Sequence, residues 1–125
     1  MRKYTWEYIQ KHPREVKRLL GITFDEFEQL IEQGKTLHQI KQEEIEKQKV
    51  RIIKAGSGKP AKLSIEEQIV LTLFYLRHQL TFQILGLLFE VSESTAHNLF
   101  NYWQMLLREG VPTSILEQIT KAQKS

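Results

Sequence analysis

Apolar residues recur at helical spacing along most of the chain, and nowhere do they alternate with polar ones over the length of a strand. Trp6 and Ile9 predict a short helix over 4–12. Pro13 suits the first turn of a second short helix, 13–20, because its missing N–H falls where a helix has no partner to offer. Gly21 ends that helix in the usual C-terminal position. Thr23-Phe24-Asp25-Glu26 reads as a capping box, in which Thr23 caps and Glu26 reaches back. Phe24, Phe27, Leu30 and Ile31 then form an apolar stripe, which thins beyond Gly34 to Leu37, Ile40 and Ile45. Two readings of this helix, 24–53, stand side by side: an arm or partner surface, or a solvated helix supported by the Glu43/Lys47 pair at i,i+4.

The segment KAGSGKPAK, 54–62, breaks the pattern, since two glycines and a proline do not sustain a helix. Ser64 and Glu67 make another capping box, ahead of a strongly apolar helix containing Ile65, Ile69, Leu71, Leu73, Phe74 and Leu76. Thr81 is the expected cap of a helix over 82–89, and Ser92 of a longer one running to about Arg108. Gly110 and Pro112 stop it, and 114–121 adds a final turn or two. The expected fold class is all-α: a helical region over 1–53, a basic Gly/Pro linker over 54–63, and a helix-turn-helix domain over 64–125.

The helix-turn-helix reading rests on spacing. Gly86 is the small residue where two helices cross, Leu85 and Phe89 flank it as core positions, and Val91 plugs the turn. Ala96, Leu99, Phe100, Trp103, Leu106 and Leu107 form the inward stripe of the second helix. A rotation of ~100° per residue turns Ser94, His97, Asn98, Asn101 and Arg108 outward. Asn pairs bidentately with adenine, and Ser and His donate or accept according to context, so Ser94, His97, Asn98 and Asn101 are candidate base readers. Ser92, Thr95 and the free N–H groups at the helix start, with Arg108 at its far end, are candidate phosphate contacts. Glu90 stands where such a turn usually has a glycine at positive φ.

Charge complicates this reading. The chain has 18 Lys and Arg against 15 Asp and Glu, a net +3. Residues 1–63 carry 14 basic and 9 acidic side chains, whereas 64–120 carry 2 and 6. From Glu90 to Met105 there is no lysine or arginine at all. Attraction to a polyanion must therefore come from outside the motif, chiefly from Lys54, Lys59 and Lys62 in the linker, lying along a minor groove as basic arms do. Alternatively the linker is a hinge with solubilising lysines. Glu93 would then accept from cytosine or reject wrong sequences.

Other chemistry finds little support. Zero cysteines exclude disulfides and zinc fingers, and the four histidines lack metal-ligand spacing. Glu66, Glu67 and Glu117 have capping or surface explanations, and no nucleophile–base set is visible. Neither a cofactor nor an enzymatic activity is expected. No apolar run approaches the ~18 residues of a membrane span, and MRKYTWEYIQ has no signal-peptide core, so a cytoplasmic protein is expected.

The stretch LSIEEQIVLTLFYLRHQLTFQILGLLFEVSESTAHNLFNYW resembles the helix-turn-helix domain that precedes the catalytic domain in DDE-type insertion-sequence transposases, a family abundant in cyanobacteria. The resemblance is carried by Leu63-Ser64, Glu66-Glu67-Gln68, Tyr75-Leu76-Arg77, Thr81-Phe82, Leu85-Gly86, Phe89, Val91 to Ala96, and Tyr102-Trp103. YIQKHP, LLGITFDEFEQLIEQ, KAGSGKPAKL and SILEQITK also resemble parts of those proteins. Two positions depart from the pattern: Glu90 replaces the usual glycine, and Lys59 stands where an arginine usually precedes the proline.

The resemblance implies double-stranded DNA as partner, recognition of the terminal inverted repeats of a mobile element, and a bacterial, nucleoid-associated location. The catalytic domain of that family would begin about where these residues stop. The chain therefore reads as the DNA-binding part of a transposase, working beside a catalytic subunit, or as a stand-alone repressor or transposition inhibitor. In a reading from a different class it is a helical interaction module that forms a homodimer through helix 24–53.

Overall fold

A computed structural model describes residues 6–48 and 63–121, and every regular element among them is helical. α1 (Trp6–Lys11), a 3₁₀ turn (Pro13–Glu15), α2 (Val16–Leu20) and α3 (Phe24–Gln48) come first. α4 (Ile65–His78), α5 (Phe82–Phe89), α6 (Glu93–Gly110) and α7 (Thr113–Lys121) follow. The all-α class expected from the apolar pattern is the class found.

Local chemistry explains most boundaries. Residues 13–20, expected as one short helix, divide in two. Pro13 has no N–H, and the first closure is the i→i+3 bond from the Glu15 N–H to the His12 carbonyl, 2.9 Å, so α-helical geometry begins only at Val16. Gly21 closes α2 at φ 85 and donates to the Lys17 carbonyl at 2.8 Å. Both capping boxes form. The Glu26 N–H donates to Thr23 Oγ1 at 3.1 Å, and the Thr23 N–H donates to Glu26 Oε1 at 3.0 Å. The corresponding Ser64/Glu67 bonds are 3.2 and 3.3 Å. Such reciprocal caps satisfy donors that a helix start leaves orphaned.

Helices from both sides of the linker bury their apolar faces in one core. Ile9, Val16, Leu20, Phe27 and Leu30 from the first helices join Ile69, Leu73, Leu85, Phe89, Trp103, Leu107 and Ile119. α6 packs against α3, α4 and α5. α3 runs unbroken through Gly34, which is buried against Ile69 of α4. A Cβ at that position would lie 2.8 Å from Ile69 Cδ1. Beyond it the stripe does thin: Leu37 is half-buried beside Gly110, and Ile40 is 50% exposed. α7 forms where a final turn or two was expected over 114–121, and is held by burial of Ile119 and by Arg77, whose guanidinium donates to the Ile119 carbonyl at 3.4 Å.

Polar side chains fix how α6 sits on its neighbours. The buried Trp103 Nε1–H donates to Gln68 Oε1 at 2.9 Å, and Gln68 Nε2 donates to the Leu63 carbonyl at 3.0 Å. His38 of α3 stacks on Trp103, with centroids 5.3 Å apart, and its Nδ1 lies 2.8 Å from the Tyr102 hydroxyl. Among the described residues no buried side-chain nitrogen or oxygen lacks a partner, as a well-specified core requires. Burial holds His38 below its ordinary pKa of 6.5, and burial pushes the Tyr102 phenol up against an opposing hydrogen bond from Gln42. On the surface Lys35 Nζ lies 2.9 Å from Glu66 Oε2. That hydrogen bond raises the lysine pKa and lowers the carboxylate pKa. No helix among the described residues is long and apolar enough to cross a membrane.

Candidate nucleic-acid interface

α5 and α6 form the motif, and each begins on a hydroxyl cap. Thr81 Oγ1 accepts from the Ile84 N–H at 3.1 Å, and Ser92 Oγ accepts from the Thr95 N–H at 3.1 Å. Between the helices Glu90 takes the left-handed conformation, φ 61 and ψ 42, and the Val91 N–H bonds back to the Gly86 carbonyl at 2.9 Å. The turn therefore keeps the shape a glycine would favour, and the glutamate bears a cost of about 1 kcal/mol relative to glycine. Gly86 is buried beneath this turn. A Cβ on it would lie 2.6 Å from the Val91 carbonyl oxygen, so the close crossing of the chain admits only a hydrogen there.

The inner face of α6 is anchored along its length, with Ala96, Trp103, Leu106 and Leu107 buried and Leu99 and Phe100 half-buried. This anchoring leaves Ser94, Asn98, Asn101 and Arg108 on one exposed stripe, with His97 beside it. His97 is more constrained than its exposure suggests. Its ring meets Phe82 edge-to-face at a centroid distance of 4.9 Å, and Asn101 Nδ2 lies 3.3 Å from its Nε2. Ser92 and Thr95 are exposed at the helix start and bonded to each other, the Ser92 hydroxyl donating to Thr95 Oγ1 at 3.0 Å. Arg108 stands in the last turn, about 20 Å along the axis from Ser94 at 1.5 Å per residue. It does not join the cluster near the helix start. Lys54, Lys59 and Lys62 lie outside the described residues.

Two residues join this surface that the sequence pattern did not single out as readers. Met105 is 41% exposed and sits on the stripe between Asn101 and Arg108. Its spacing from 98 and 101 gave the signal, but an apolar side chain invites a core assignment. Phe82 stands in the sequence pattern as the first residue of α5 and as part of the Thr81-Phe82 match, with no role on the surface. Tertiary packing sets it against His97, beside the exposed ridge.

Capped crossed helices joined by a left-handed turn, with an exposed polar ridge on the second, define a helix-turn-helix protein. Residues 61–113 match the family model described as the helix-turn-helix of DDE superfamily endonuclease. Over those residues the match supports a helix-turn-helix similar to the one found in DDE transposases. No curated protein and no solved structure matches it.

Proposed function

We propose that this chain recognises the terminal inverted repeats of a mobile element, with α6 entering the major groove of double-stranded DNA. The observation that carries this reading is the polar stripe of α6 from Ser94 to Asn101, held outward because the opposite face is locked into the core. Asn98 and Asn101 read base edges together with Ser94 and His97. Ser92, Thr95 and the N–H groups of the first turn hold a phosphate, and Arg108 holds another further along the groove. Lys54, Lys59 and Lys62 supply the charge that the stripe lacks. The chain acts by binding rather than by catalysis, in the bacterial cytoplasm at the nucleoid. It serves either as the end-binding part beside a catalytic transposase subunit or as a repressor that occupies the ends without cutting.

Binding-site selection from random duplexes, repeated at two salt concentrations, tests the reading. Recovery of a motif found in inverted orientation at element ends supports it, and recovery of no motif sinks it. Replacing the three linker lysines by alanine should weaken binding to all duplexes and flatten the salt slope. An unchanged slope removes the linker from the interface.

A second reading draws support from the outer half of α3, where Ile40 is 50% exposed beside half-buried Leu37 and Ile45. A second copy of the chain pairs there and places two motifs on one element end. Size-exclusion chromatography with light scattering, with and without the selected duplex, gives the stoichiometry. A monomer in both conditions refutes the pairing.

A further inference from the structure

The acidic residue at the start of α6 is out of place on a helix that meets a polyanion, and its surroundings give it a use. Glu93, Ser94, His97 and Phe82 line an open recess between the beginning of α5 and the first turns of α6. One wall is apolar and rigid. Phe82 stacks on Tyr75 with centroids 4.8 Å apart and planes 7° from parallel, leans on Phe100 at 5.8 Å, and meets the His97 ring edge-to-face. The Asn101 amide at 3.3 Å steadies the imidazole from the other side. The recess is also lined by Glu93, which is exposed and, among the described residues, without a paired cation.

We propose that this recess selects a cytosine in the major groove, the Glu93 carboxylate accepting from the cytosine amino group while the rings of Phe82 and His97 lie along its C5–H edge. The inference rests on α6 being the groove-entering helix. An ionised carboxylate only accepts hydrogen bonds. It is therefore repelled by guanine, which offers N7 and O6, and by thymine, which offers O4. Adenine offers an amino group, but its neighbouring N7 acceptor would face the carboxylate or the ring wall. Cytosine alone places a donor next to an apolar edge. The same negative charge repels phosphates, so it weakens indiscriminate binding and widens the gap between right and wrong sites.

Favourable interaction with the helix N-terminus is the competing explanation for Glu93, and it predicts no base preference. The two are separated by measuring wild type and Glu93→Gln on the selected duplex, on its three base-pair variants at the position nearest the start of α6, and on a random duplex. Thermal melts confirm that this exposed substitution leaves the fold intact. Wild type should prefer cytosine there by about 5- to 150-fold, the range for one good base contact. In Glu93→Gln that preference should collapse at this position alone, while binding to the random duplex tightens. If the substitution shifts affinity for every duplex equally and the preference survives, the recess does not read cytosine although α6 still binds DNA. If wild type binds no duplex, the groove-entering role of α6 falls and the recess proposal with it.

Discussion

The two long helices, α3 and α6, pack on each other yet use their outer faces in opposite ways. α3 buries Phe27, Leu30, Ile31 and Gly34, and its outer positions are dominated by charged side chains, among which Lys35 pairs with Glu66 of α4 at 2.9 Å and with Glu32 at 4.0 Å. α6 keeps its apolar face buried as far as Leu107, and its exposed stripe from Ser94 to Met105 carries hydroxyl, imidazole, amide and thioether groups. A face that exposes carboxylates from Asp25 to Glu46 is repelled by a polyanion. A neutral polar face on a fixed helix can exchange water for base edges without first breaking an ion pair. The difference favours α6 for the proposed recognition surface, although the basic residues are concentrated in the other half of the chain.

The largest effect is expected where that fixed orientation is made. Trp103→Ala should cost about 3–5 kcal/mol in chemical denaturation, because it empties the space beneath α6 and leaves Gln68 without its donor. Trp103→Phe keeps most of the ring and should cost less, mainly the penalty of an unpaired buried oxygen, about 1–3 kcal/mol. A loss below 1 kcal/mol for the alanine variant would mean that α6 is held by other contacts.

Next come the exposed amides. Asn98→Ala and Asn101→Ala should leave the melting temperature nearly unchanged while reducing discrimination between selected and random duplexes by about 1–3 kcal/mol each. Asn101→Ala also removes the partner of His97 Nε2, so its loss should exceed that of Asn98→Ala. Anisotropy titrations on both duplexes measure this. Equal losses on both would show that the stripe touches DNA without reading it.

A smaller change, of opposite sign, is expected in the turn. Glu90→Gly should stabilise the fold by about 1 kcal/mol, since the residue already sits at φ 61, where glycine bears no Cβ penalty. Destabilisation instead would show that interactions of the glutamate side chain, or the entropy glycine adds to the unfolded chain, outweigh the strain.

The smallest effect concerns the contact between the two helices. Burial depresses the His38 pKa below 6.5, so at mildly acid pH the unfolded chain binds a proton that the folded chain resists. This contribution to stability is complete above the unfolded value and is lost as the pH falls through the lower folded one. Comparing His38→Gln with wild type between about pH 8 and pH 5.5 should show a flatter decline in the variant, which cannot take up that proton. Parallel curves would contradict the assignment.

Helix starts were legible because capping is a short-range matter. Thr23 with Glu26, Ser64 with Glu67, Thr81 and Ser92 all act within one turn of themselves. The outward stripe was legible because its geometry needs only the helix period and a buried opposite face. The setting of Phe82 against His97 was not, because it depends on how two helices pack, and Met105 was passed over because its apolar side chain outweighed its outward spacing. The split of 13–20 was missed because proline permits either a helical first turn or a tighter one, and spacing does not separate them.

Residue order by itself determined where helices begin and which face of each is apolar, because these follow from backbone hydrogen bonding and side-chain periodicity along one segment; that Glu90 takes the left-handed conformation was settled by the structure. Only the tertiary structure decided that α3 docks on α6 through His38 and Trp103, that Gln68 ties Trp103 to the Leu63 carbonyl, and that Glu93 shares a recess with Phe82 and His97. Those contacts join residues tens of positions apart. The packing that selects them is a property of the closed core, and no single helix contains it.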